Sequence, residues 1–477
     1  MIQNIKGPGW LGRWFGPTLA LGGCCAAIGL VMPGCTDSAP PAPKLARLQG
    51  AQSYEWQLTA AHDDYGKSDL NGDELTDICG VNETGVHCAL NGGGIPFGET
   101  VPWTELFGDI NTPSGWWFEP DNHMTIRFPD IDGNGVADVC GRSDYGIVCA
   151  YGTGDGFYPY SSWWIETPLF SNYDGWHLDP RRYGSIRFID INGDGRDDVC
   201  GREATGFSCY ASTGNGFDLN YPTHFGFTDS AWGTQDAWVT LAFVDVNGDR
   251  LPDVCGRHPS GIVCAENYGY GFQSERLWTS DFGNAQGWQT SPALYSTIRF
   301  PDVNGDGLAD VCGRYFDGIR CAFNSGFGTF YPATLWSDSF SDADGWSTGA
   351  EYYSTIQYVD VTGDGKADVC GRDADGIVCA VNTACAAFEP ATVWASHFTD
   401  AAGWNADAAY FSTLRFVDVN GDQLPDVCGR GSGGMECALN EVMQFGEASV
   451  WSSSFSDAAG WPDYYGTIRF PTYRSPW

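Results

Sequence analysis

The chain has 477 residues, of which only 18% are charged, while glycine (64 residues) and aromatic residues (15%) are abundant. This composition is typical of an all-β protein with many turns and argues against a helical or disordered chain. The net charge of −36 argues against nucleic acid and anionic lipid as partners, because phosphate binding needs clustered lysine and arginine.

The N-terminal segment has the layout of a signal peptide. Lys6 and Arg13 precede an apolar stretch over 14–32, which ends at Pro33-Gly34-Cys35. This layout resembles a bacterial lipoprotein signal with Cys35 as the candidate lipidation site, and Leu21-Gly22-Gly23-Cys24 is the alternative box. We predict an exported protein, either a bacterial outer-membrane lipoprotein or a cell-surface or secreted protein. Its predicted segments are a signal peptide over 1–35, a Pro-rich tether over 36–50 and a folded region over 51–477.

Seven acidic loops with the pattern Asp-x-Asn-Gly-Asp-x-x-x-Asp recur in the folded region. Side-chain oxygens at positions 1, 3, 5 and 9 suit Ca²⁺, which takes about six to eight oxygen ligands. We predict about seven structural calcium ions; turns rich in Asp and Asn without an ion are the alternative. The predicted ligands are Asp69, Asn71, Asp73, Asp77, Asp130, Asp132, Asn134, Asp138, Asp190, Asn192, Asp194, Asp198, Asp245, Asn247, Asp249, Asp253, Asp302, Asn304, Asp306, Asp310, Asp360, Thr362, Asp364, Asp368, Asp418, Asn420, Asp422 and Asp426.

Fourteen of the eighteen cysteines form seven pairs, in each of which the second cysteine lies nine positions after the first. A hairpin centred between the two brings them directly opposite each other, and Asp373-Ala374-Asp375-Gly376 is such a turn. We predict seven cross-strand disulfides and an oxidising compartment, with free thiols as the alternative. The predicted pairs are Cys79–Cys88, Cys140–Cys149, Cys200–Cys209, Cys255–Cys264, Cys312–Cys321, Cys370–Cys379 and Cys428–Cys437, and Cys385 is left over.

Each repeat contains four short segments with strand character. In the sixth unit these are residues 352–359, 369–372, 376–381 and 391–398, with the acidic loop after the first. Four antiparallel strands in nearly 60 residues describe one blade, so the predicted fold is all-β: a seven-bladed β-propeller with one calcium loop and one cross-strand disulfide per blade. We expect Thr467–Phe470 to supply the missing strand of the first blade and close the ring; a degenerate eighth blade is the alternative.

A tryptophan follows a glycine-containing turn in most units, next to Asp and Asn. Aromatic faces stack on the C–H faces of sugars, so these tryptophans are candidate glycan-binding residues. The alternative is that they pack neighbouring blades against each other. The candidates are Trp116, Trp176, Trp288, Trp346, Trp404 and Trp461.

An arginine follows each first cysteine except in the first unit, where Val81 takes its place. Pairing with a nearby loop aspartate is the expected role, and anchoring of an acidic sugar is the alternative. The sequence contains no His-Glu-x-x-His, Gly-x-Ser-x-Gly or phosphate-loop motif. We therefore predict no catalytic residues and no enzymatic activity.

The acidic loops with their flanking strands resemble FG-GAP/VCBS repeats, the units of integrin α-like propellers. The Gly-Trp element gives a further resemblance to the fungal integrin-like propeller lectin, which implies sugar sites between blades. From these observations we predict a multivalent, carbohydrate-binding monomer at the cell surface. The alternatives are an adhesion or scaffold propeller that binds a surface protein, and an accessory propeller of an extracellular hydrolase. Contact with a membrane is expected only through an N-terminal lipid anchor.

Overall fold

The computed structural model describes residues 69–93, 96–108, 120–158, 164–383 and 387–471. All of these residues fall within one compact unit. The predicted signal peptide, tether and lipidation site Cys35 lie outside the described residues, as do Trp116 and Cys385. No helix in these ranges combines the length and the apolar character that a membrane crossing requires.

The described residues form 25 strands and seven single-turn α-helices. The strands are β1 (Ile78–Asn82), β2 (Gly85–Ala89), β3 (Val101–Thr104), β4 (Val139–Ser143), β5 (Gly146–Ala150), β6 (Trp164–Thr167), β7 (Arg187–Ile189), β8 (Asp198–Glu203), β9 (Gly206–Tyr210), β10 (Thr223–Phe225), β11 (Ala242–Val244), β12 (Asp253–His258), β13 (Gly261–Ala265), β14 (Arg276–Thr279), β15 (Val311–Tyr315), β16 (Gly318–Ala322), β17 (Thr334–Ser337), β18 (Gln357–Val359), β19 (Asp368–Asp373), β20 (Gly376–Ala380), β21 (Thr392–Ala395), β22 (Arg415–Val417), β23 (Asp426–Gly431), β24 (Gly434–Ala438) and β25 (Ser449–Ser452). The helices are α1 (Pro120–His123), α2 (Pro180–Tyr183), α3 (Asp229–Trp232), α4 (Gln235–Trp238), α5 (Pro292–Tyr295), α6 (Ala350–Tyr353) and α7 (Ala408–Phe411).

The strands of the described residues form seven antiparallel sheets, in which neighbours in the sheet are also neighbours in the chain. We call these sheets blades 1 to 7; in chain order they are β1–β3, β4–β6, β7–β10, β11–β14, β15–β17, β18–β21 and β22–β25. In the three-stranded blades 2 and 5 an isolated bridge, Arg127 to Cys140 or Arg299 to Cys312, marks the position of the first strand. The predicted all-β propeller of antiparallel blades is confirmed.

The two central strands of each blade form a tight hairpin that carries the disulfide. In blade 6, Cys370 of β19 lies directly opposite Cys379 of β20, with their Cα atoms 4.1 Å apart. Gly376 follows the two-residue turn at φ 131°, and a Cβ there would lie 2.0 Å from the Ala395 carbonyl oxygen. The seven predicted disulfides are confirmed, because all seven cysteine pairs are bonded.

The first strand of a blade is shorter than the sequence predicts. In blade 6, residues 352–359 were expected to be extended, but α6 takes Tyr352 and Tyr353, and β18 begins only at Gln357. The hydroxyl groups of Ser354 and Thr355 donate to carbonyl oxygens within this helical turn (2.5 and 2.7 Å). Side chains that satisfy the local backbone in this way allow the turn to compete with the strand.

The apolar core is divided among the blade junctions. One cluster combines Trp336 of blade 5 with Val369 of blade 6, and another combines Met435 of blade 7 with Ile78 of blade 1. The cluster between blades 7 and 1 shows that the last blade packs directly on the first. Each sheet is therefore stabilised by its two neighbours and not by a single central core.

The C-terminal segment closes the ring as predicted. Cys79 of β1 and Arg469 exchange two backbone hydrogen bonds (3.0 and 2.8 Å), and the Val81 amide donates to the Thr467 hydroxyl (2.9 Å). Ile468 and Phe470 are buried in the junction between blades 7 and 1. Because the last segment completes the first blade, the two ends of the repeat array hold each other.

Truncation before Gly466 should destabilise the whole ring. Removal of residues 466–477 is expected to lower the free energy of unfolding by about 3–6 kcal/mol, because Ile468 and Phe470 each bury a side chain worth about 1.5–3 kcal/mol. Chemical denaturation followed by tryptophan fluorescence measures this loss. The control truncation removes only 472–477 and retains every closing contact named above; equal loss in both truncations would contradict the closure.

Candidate functional site

Each acidic loop folds its backbone around the carboxylate at position 1. In the fifth loop, Asp302 Oδ1 accepts hydrogen bonds from the amides of Asn304 (3.2 Å) and Gly305 (2.7 Å). Its Oδ2 accepts one from the Gly307 amide (2.8 Å). At position 5, Asp306 Oδ1 accepts a hydrogen bond from the Leu308 amide (2.9 Å). These bonds make the loop a compact turn that gathers its own acidic side chains.

The aspartate at position 9 is the buried anchor of the loop. In the fifth loop, Asp310 Oδ1 accepts a hydrogen bond from the Asn324 amide (2.6 Å), and its Oδ2 accepts one from the Val303 amide (3.1 Å). A carboxylate shielded from water thus joins the start of the loop to the connection between the third and fourth strands. The same position is fully buried in all seven loops, at Asp77, Asp138, Asp198, Asp253, Asp310, Asp368 and Asp426.

Two loops show features that a divalent cation would satisfy. Ligand oxygens of Asp130, Asp132 and Asp138 lie within 4.8 Å of one another, the one acidic group of this kind in the part of the chain that the structure describes. In the first loop, Asp77 Oδ2 is buried and has no hydrogen-bond partner. Both features fit Ca²⁺, which prefers several closely spaced carboxylate oxygens. The other predicted ligands occupy the same loop positions around the ring.

Burial disfavours the charged form of the position-9 carboxylates. It raises the pKa of Asp138, Asp198 and Asp253 to about 8. Neighbouring loop carboxylates raise these pKa values further, and hydrogen bonds from backbone amides partly oppose the increase. A bound cation would remove this cost, because it supplies the opposite charge that the buried carboxylates lack.

In five of the seven blades an asparagine links the acidic loop to the loop of the preceding blade, and the sequence analysis did not single it out. In blade 3 the Ser212 hydroxyl makes the equivalent bond to the Ile131 carbonyl (2.6 Å), and in blade 2 Gly152 stands at this position. Asn324 Nδ2 donates to the Val246 carbonyl of the fourth loop (2.8 Å) and to the Ala309 carbonyl of its own loop (3.0 Å). Asn91 makes the equivalent bond to Val419 of the seventh loop (2.6 Å), which closes the series. The signal in the sequence is an asparagine three residues after the second cysteine, at Asn91, Asn267, Asn324, Asn382 and Asn440.

The arginine after each first cysteine holds the opposite end of the blade together. Arg372 is fully buried; its Nε donates to the Phe398 carbonyl (2.7 Å), and its Nη2 donates to Asp400 Oδ1. The aspartate belongs to the turn after the fourth strand and not to an acidic loop. The guanidinium thus ties the hairpin to this turn. Pairing with an aspartate is confirmed, but the expectation that an acidic loop supplies it was wrong, because the turn after the fourth strand lies closer to the buried guanidinium.

Each of these buried arginines has one carboxylate, but its source differs between blades. In blades 2 and 4 the turn residue is Asn172 or Asn284, and the negative charge comes from Asp121 or Asp236 before the first strand. In blades 3, 5, 6 and 7 the turn itself supplies an aspartate. A buried cation without a counter-ion is costly, so the substitutions compensate each other.

The candidate glycan-binding tryptophans that the structure describes are buried between blades. A Cβ on Gly371 of blade 6 would lie 2.7 Å from the ring of Trp346, which follows blade 5. The same relation joins Trp461 to Gly80 across the closing junction (2.4 Å). These indoles therefore pack the blades and offer no exposed stacking face, which is the alternative role considered above. They are Trp176, Trp288, Trp346, Trp404 and Trp461, all less than 5% exposed.

Comparison with known families identifies the repeat. Residues 302–371, from the fifth acidic loop to the start of the sixth hairpin, match the FG-GAP-like repeat model. The resemblance drawn from the loops and strands is thereby confirmed, and the other units carry the same loop, hairpin and disulfide.

Two known proteins are similar over longer stretches. The structure of an Agrocybe aegerita lectin, described as recognising non-reducing terminal N-acetylglucosamine, aligns with a TM-score of 0.71 at 22% identity. The alignment covers 84% of this chain and 96% of the lectin, so the two proteins share the propeller fold. NAD(+)–arginine ADP-ribosyltransferase Chelt of Vibrio cholerae is 26% identical over 298 residues, or 52% of this chain. The chain spans 45% of that relative's length.

We predict that the calcium-free protein loses stability as the pH rises. Burial raises the folded-state pKa of Asp253 to about 8 from an ordinary 3.8. The protonated carboxyl therefore contributes its full share of the free energy of unfolding below about pH 4, and this contribution is lost as the pH rises through 8. Each such carboxyl contributes a slope of about 1.4 kcal/mol per pH unit between these limits. Thermal unfolding in chelator from pH 5 to 8.5 should show a falling Tm.

Asp253→Asn provides the internal comparison, because the amide has nearly the same shape and does not titrate. This variant should show a smaller decrease in Tm with pH than the unmodified chain. Asp317→Asn, in the exposed hairpin turn of blade 5, should leave the decrease unchanged. A Tm that rises with pH in chelator would contradict the burial argument.

Proposed function

We propose that this protein is an exported, non-catalytic propeller that binds carbohydrate at the cell surface. The observation that carries the proposal is the fold that it shares with the Agrocybe aegerita lectin over 96% of that lectin's chain. At 22% identity the alignment transfers no individual binding residue, so the sites must be found among this chain's own surface groups. The seven disulfides are consistent with an extracellular protein.

The face that carries the arginine-bound turns supplies rigid hydrogen-bond acceptors. The Asp342 and Asp457 side chains remain 40% and 38% exposed although each is bound to a buried guanidinium. The Tyr410 hydroxyl donates to the second oxygen of Asp457 (2.7 Å), which orients the carboxylate further. Oriented acceptors bind sugar hydroxyls at a small entropic cost. Several copies on one face would increase the avidity for a dense glycan surface.

We further propose that Ca²⁺ occupies the acidic loops and strengthens the blade junctions. The support is the orphaned Asp77 oxygen, the close group of Asp130, Asp132 and Asp138, and the asparagines that link five of the loops to the preceding loop. A cation held by one loop would steady the carbonyl that the next blade binds. Its role is therefore structural, and the sugar would bind on the opposite face.

Calcium titration of the chelator-treated full chain tests this role. Isothermal titration calorimetry should find about seven sites, and Asp306→Asn should remove one of them because a carboxylate ligand of the fifth loop is lost. Asp317→Asn in the same blade is the matched control, since its side chain pairs with Arg320 outside the loop. The absence of any calcium-induced rise in Tm would refute the proposal.

A glycan panel probed with the folded full chain tests the proposed function itself. We expect selective binding to N-acetylated or neutral hexose glycans, retained when the calcium-loaded protein is diluted into low free calcium. Chelation should weaken binding only in parallel with the loss of folded protein, monitored by near-ultraviolet circular dichroism. A folded protein that binds no glycan in the panel would refute a lectin function and favour a protein partner.

The match to Chelt favours a second candidate, an accessory propeller within a larger protein. The aligned stretch is 298 residues, and more than half of that relative's length has no counterpart in the alignment. In such an arrangement the propeller would direct an attached enzyme to a glycan or protein target. The glycan panel also serves here, because a targeting propeller keeps its binding when it is studied alone.

A further inference from the structure

Two tyrosines stand side by side on the exposed surface of blade 2. The rings of Tyr145 and Tyr173 are nearly parallel, with an interplanar angle of 27° and centroids 6.5 Å apart. Tyr173 is 85% exposed and Tyr145 is 41% exposed. The nearly parallel planes distinguish this pair from Tyr268 and Tyr270, which are equally exposed but lie at 76° to each other.

The two rings are carried by turns that are bonded to each other. Tyr145 lies in the hairpin turn between β4 and β5, and Tyr173 lies in the turn after β6. The Asn172 amide donates to the Asp144 carbonyl (2.9 Å), and Asn172 Nδ2 donates to the Asp144 carboxylate (2.6 Å). The fully buried Arg142 donates to Asn172 Oδ1, so the turn that carries Tyr173 is anchored to the interior of the blade. The surface is thus preorganised.

Polar groups border the aromatic pair. The Asp174 side chain is exposed and accepts a hydrogen bond from the Ser171 hydroxyl (2.7 Å). Arg182 Nη1 donates to the Asp174 carbonyl (3.1 Å), which secures the turn from the other side. Leu178 adds an apolar surface that is 75% exposed. Aromatic faces next to fixed carboxylate oxygens provide both of the contacts that a pyranose ring makes.

Packing between blades does not account for the pair. In blade 2 that role belongs to Trp176, whose ring lies against the glycine of the next hairpin, as in the other junctions. In blades 4 to 7 the residue that corresponds to Tyr173 is a small one, at Ala285, Ala343, Ala401 and Ala458. The aromatic pair is therefore an addition to the repeat, made at a position that the fold leaves exposed.

We propose that Tyr145 and Tyr173 form a stacking platform for an uncharged pyranose, a neutral hexose or an N-acetylated hexosamine. This inference rests on the proposed carbohydrate-binding function and assigns one of its sites. The C–H face of the sugar lies on the tyrosine rings, and its hydroxyl groups donate to the carboxylates of Asp144 and Asp174. These carboxylates repel uronic and sialic acids, so the site selects against acidic sugars.

Site-specific variants of the full chain test the platform, with N-acetylglucosamine and its β-linked dimer as probes. Saturation-transfer NMR and calorimetry should show that Tyr145→Ala/Tyr173→Ala removes one binding site or weakens it at least tenfold. Tyr173→Phe should retain the site, because the ring and not the hydroxyl group provides the stacking face. The expected Tm of all variants is unchanged, since both side chains are exposed.

Phe316→Ala is the matched control, an exposed aromatic in the corresponding hairpin turn of blade 5, where Ala343 stands opposite. Its neighbouring ring, Tyr315, is tilted by 56°, so the two rings do not offer one common stacking face. It should bind as the unmodified chain does. If the chain binds glycans and the double tyrosine variant retains full stoichiometry and affinity, the platform is refuted while the lectin function stands. If the unmodified, folded chain binds neither probe nor any glycan of the panel, both are refuted.

Discussion

The contact between a tryptophan ring and a glycine of the next blade is the constraint on which the propeller depends. The indole of Trp346 occupies the space that any side chain at residue 371 would need, and the same fit recurs around the ring. A flat, rigid ring buries a large area at little cost in side-chain entropy, and the glycine lets the neighbouring sheet approach it closely. The junctions are thus defined by shape, and each blade positions the following one.

The two ends of each blade are secured by different chemistry. At one end, hydrogen bonds from asparagines such as Asn324 join the acidic loops of five blades to the loop of the preceding blade. At the other end, a buried arginine such as Arg372 holds the hairpin and the outer turn with one compensating carboxylate. Disulfides staple the strands between these ends. Stability therefore comes from contacts that recur in most blades.

This division of labour leaves the outer turns free to differ. Because the tryptophan, the arginine and the disulfide already stabilise the blade, the side chain at position 173 or 343 has little structural role. Blade 2 places a tyrosine there, and later blades place an alanine. Functional groups can accumulate on such a surface without loss of the ring, which is how one fold supports different ligands.

Features that rest on short-range chemistry were accessible from the sequence alone. Cysteines nine residues apart around a turn predicted the disulfide and the hairpin register, because strand geometry relates spacing to pairing. The acidic pattern predicted the loops, and the unmatched Thr467–Phe470 segment predicted the closure. The loop oxygens suit calcium for the same local reason, while occupancy depends on an ion that the sequence does not contain.

Only the tertiary structure decided which aromatic residues face solvent. Trp288 and Tyr173 lie in equivalent turns next to glycine and polar residues, yet the first is buried and the second is exposed. The composition of the turns does not distinguish them, because burial depends on the adjacent blade, whose packing face comes from residues about 25 positions away. The counter-ion of each buried arginine was likewise decided by the tertiary structure. Asp121 precedes Arg142 in the sequence and Asn172 follows it, and only the fold brings both to the guanidinium.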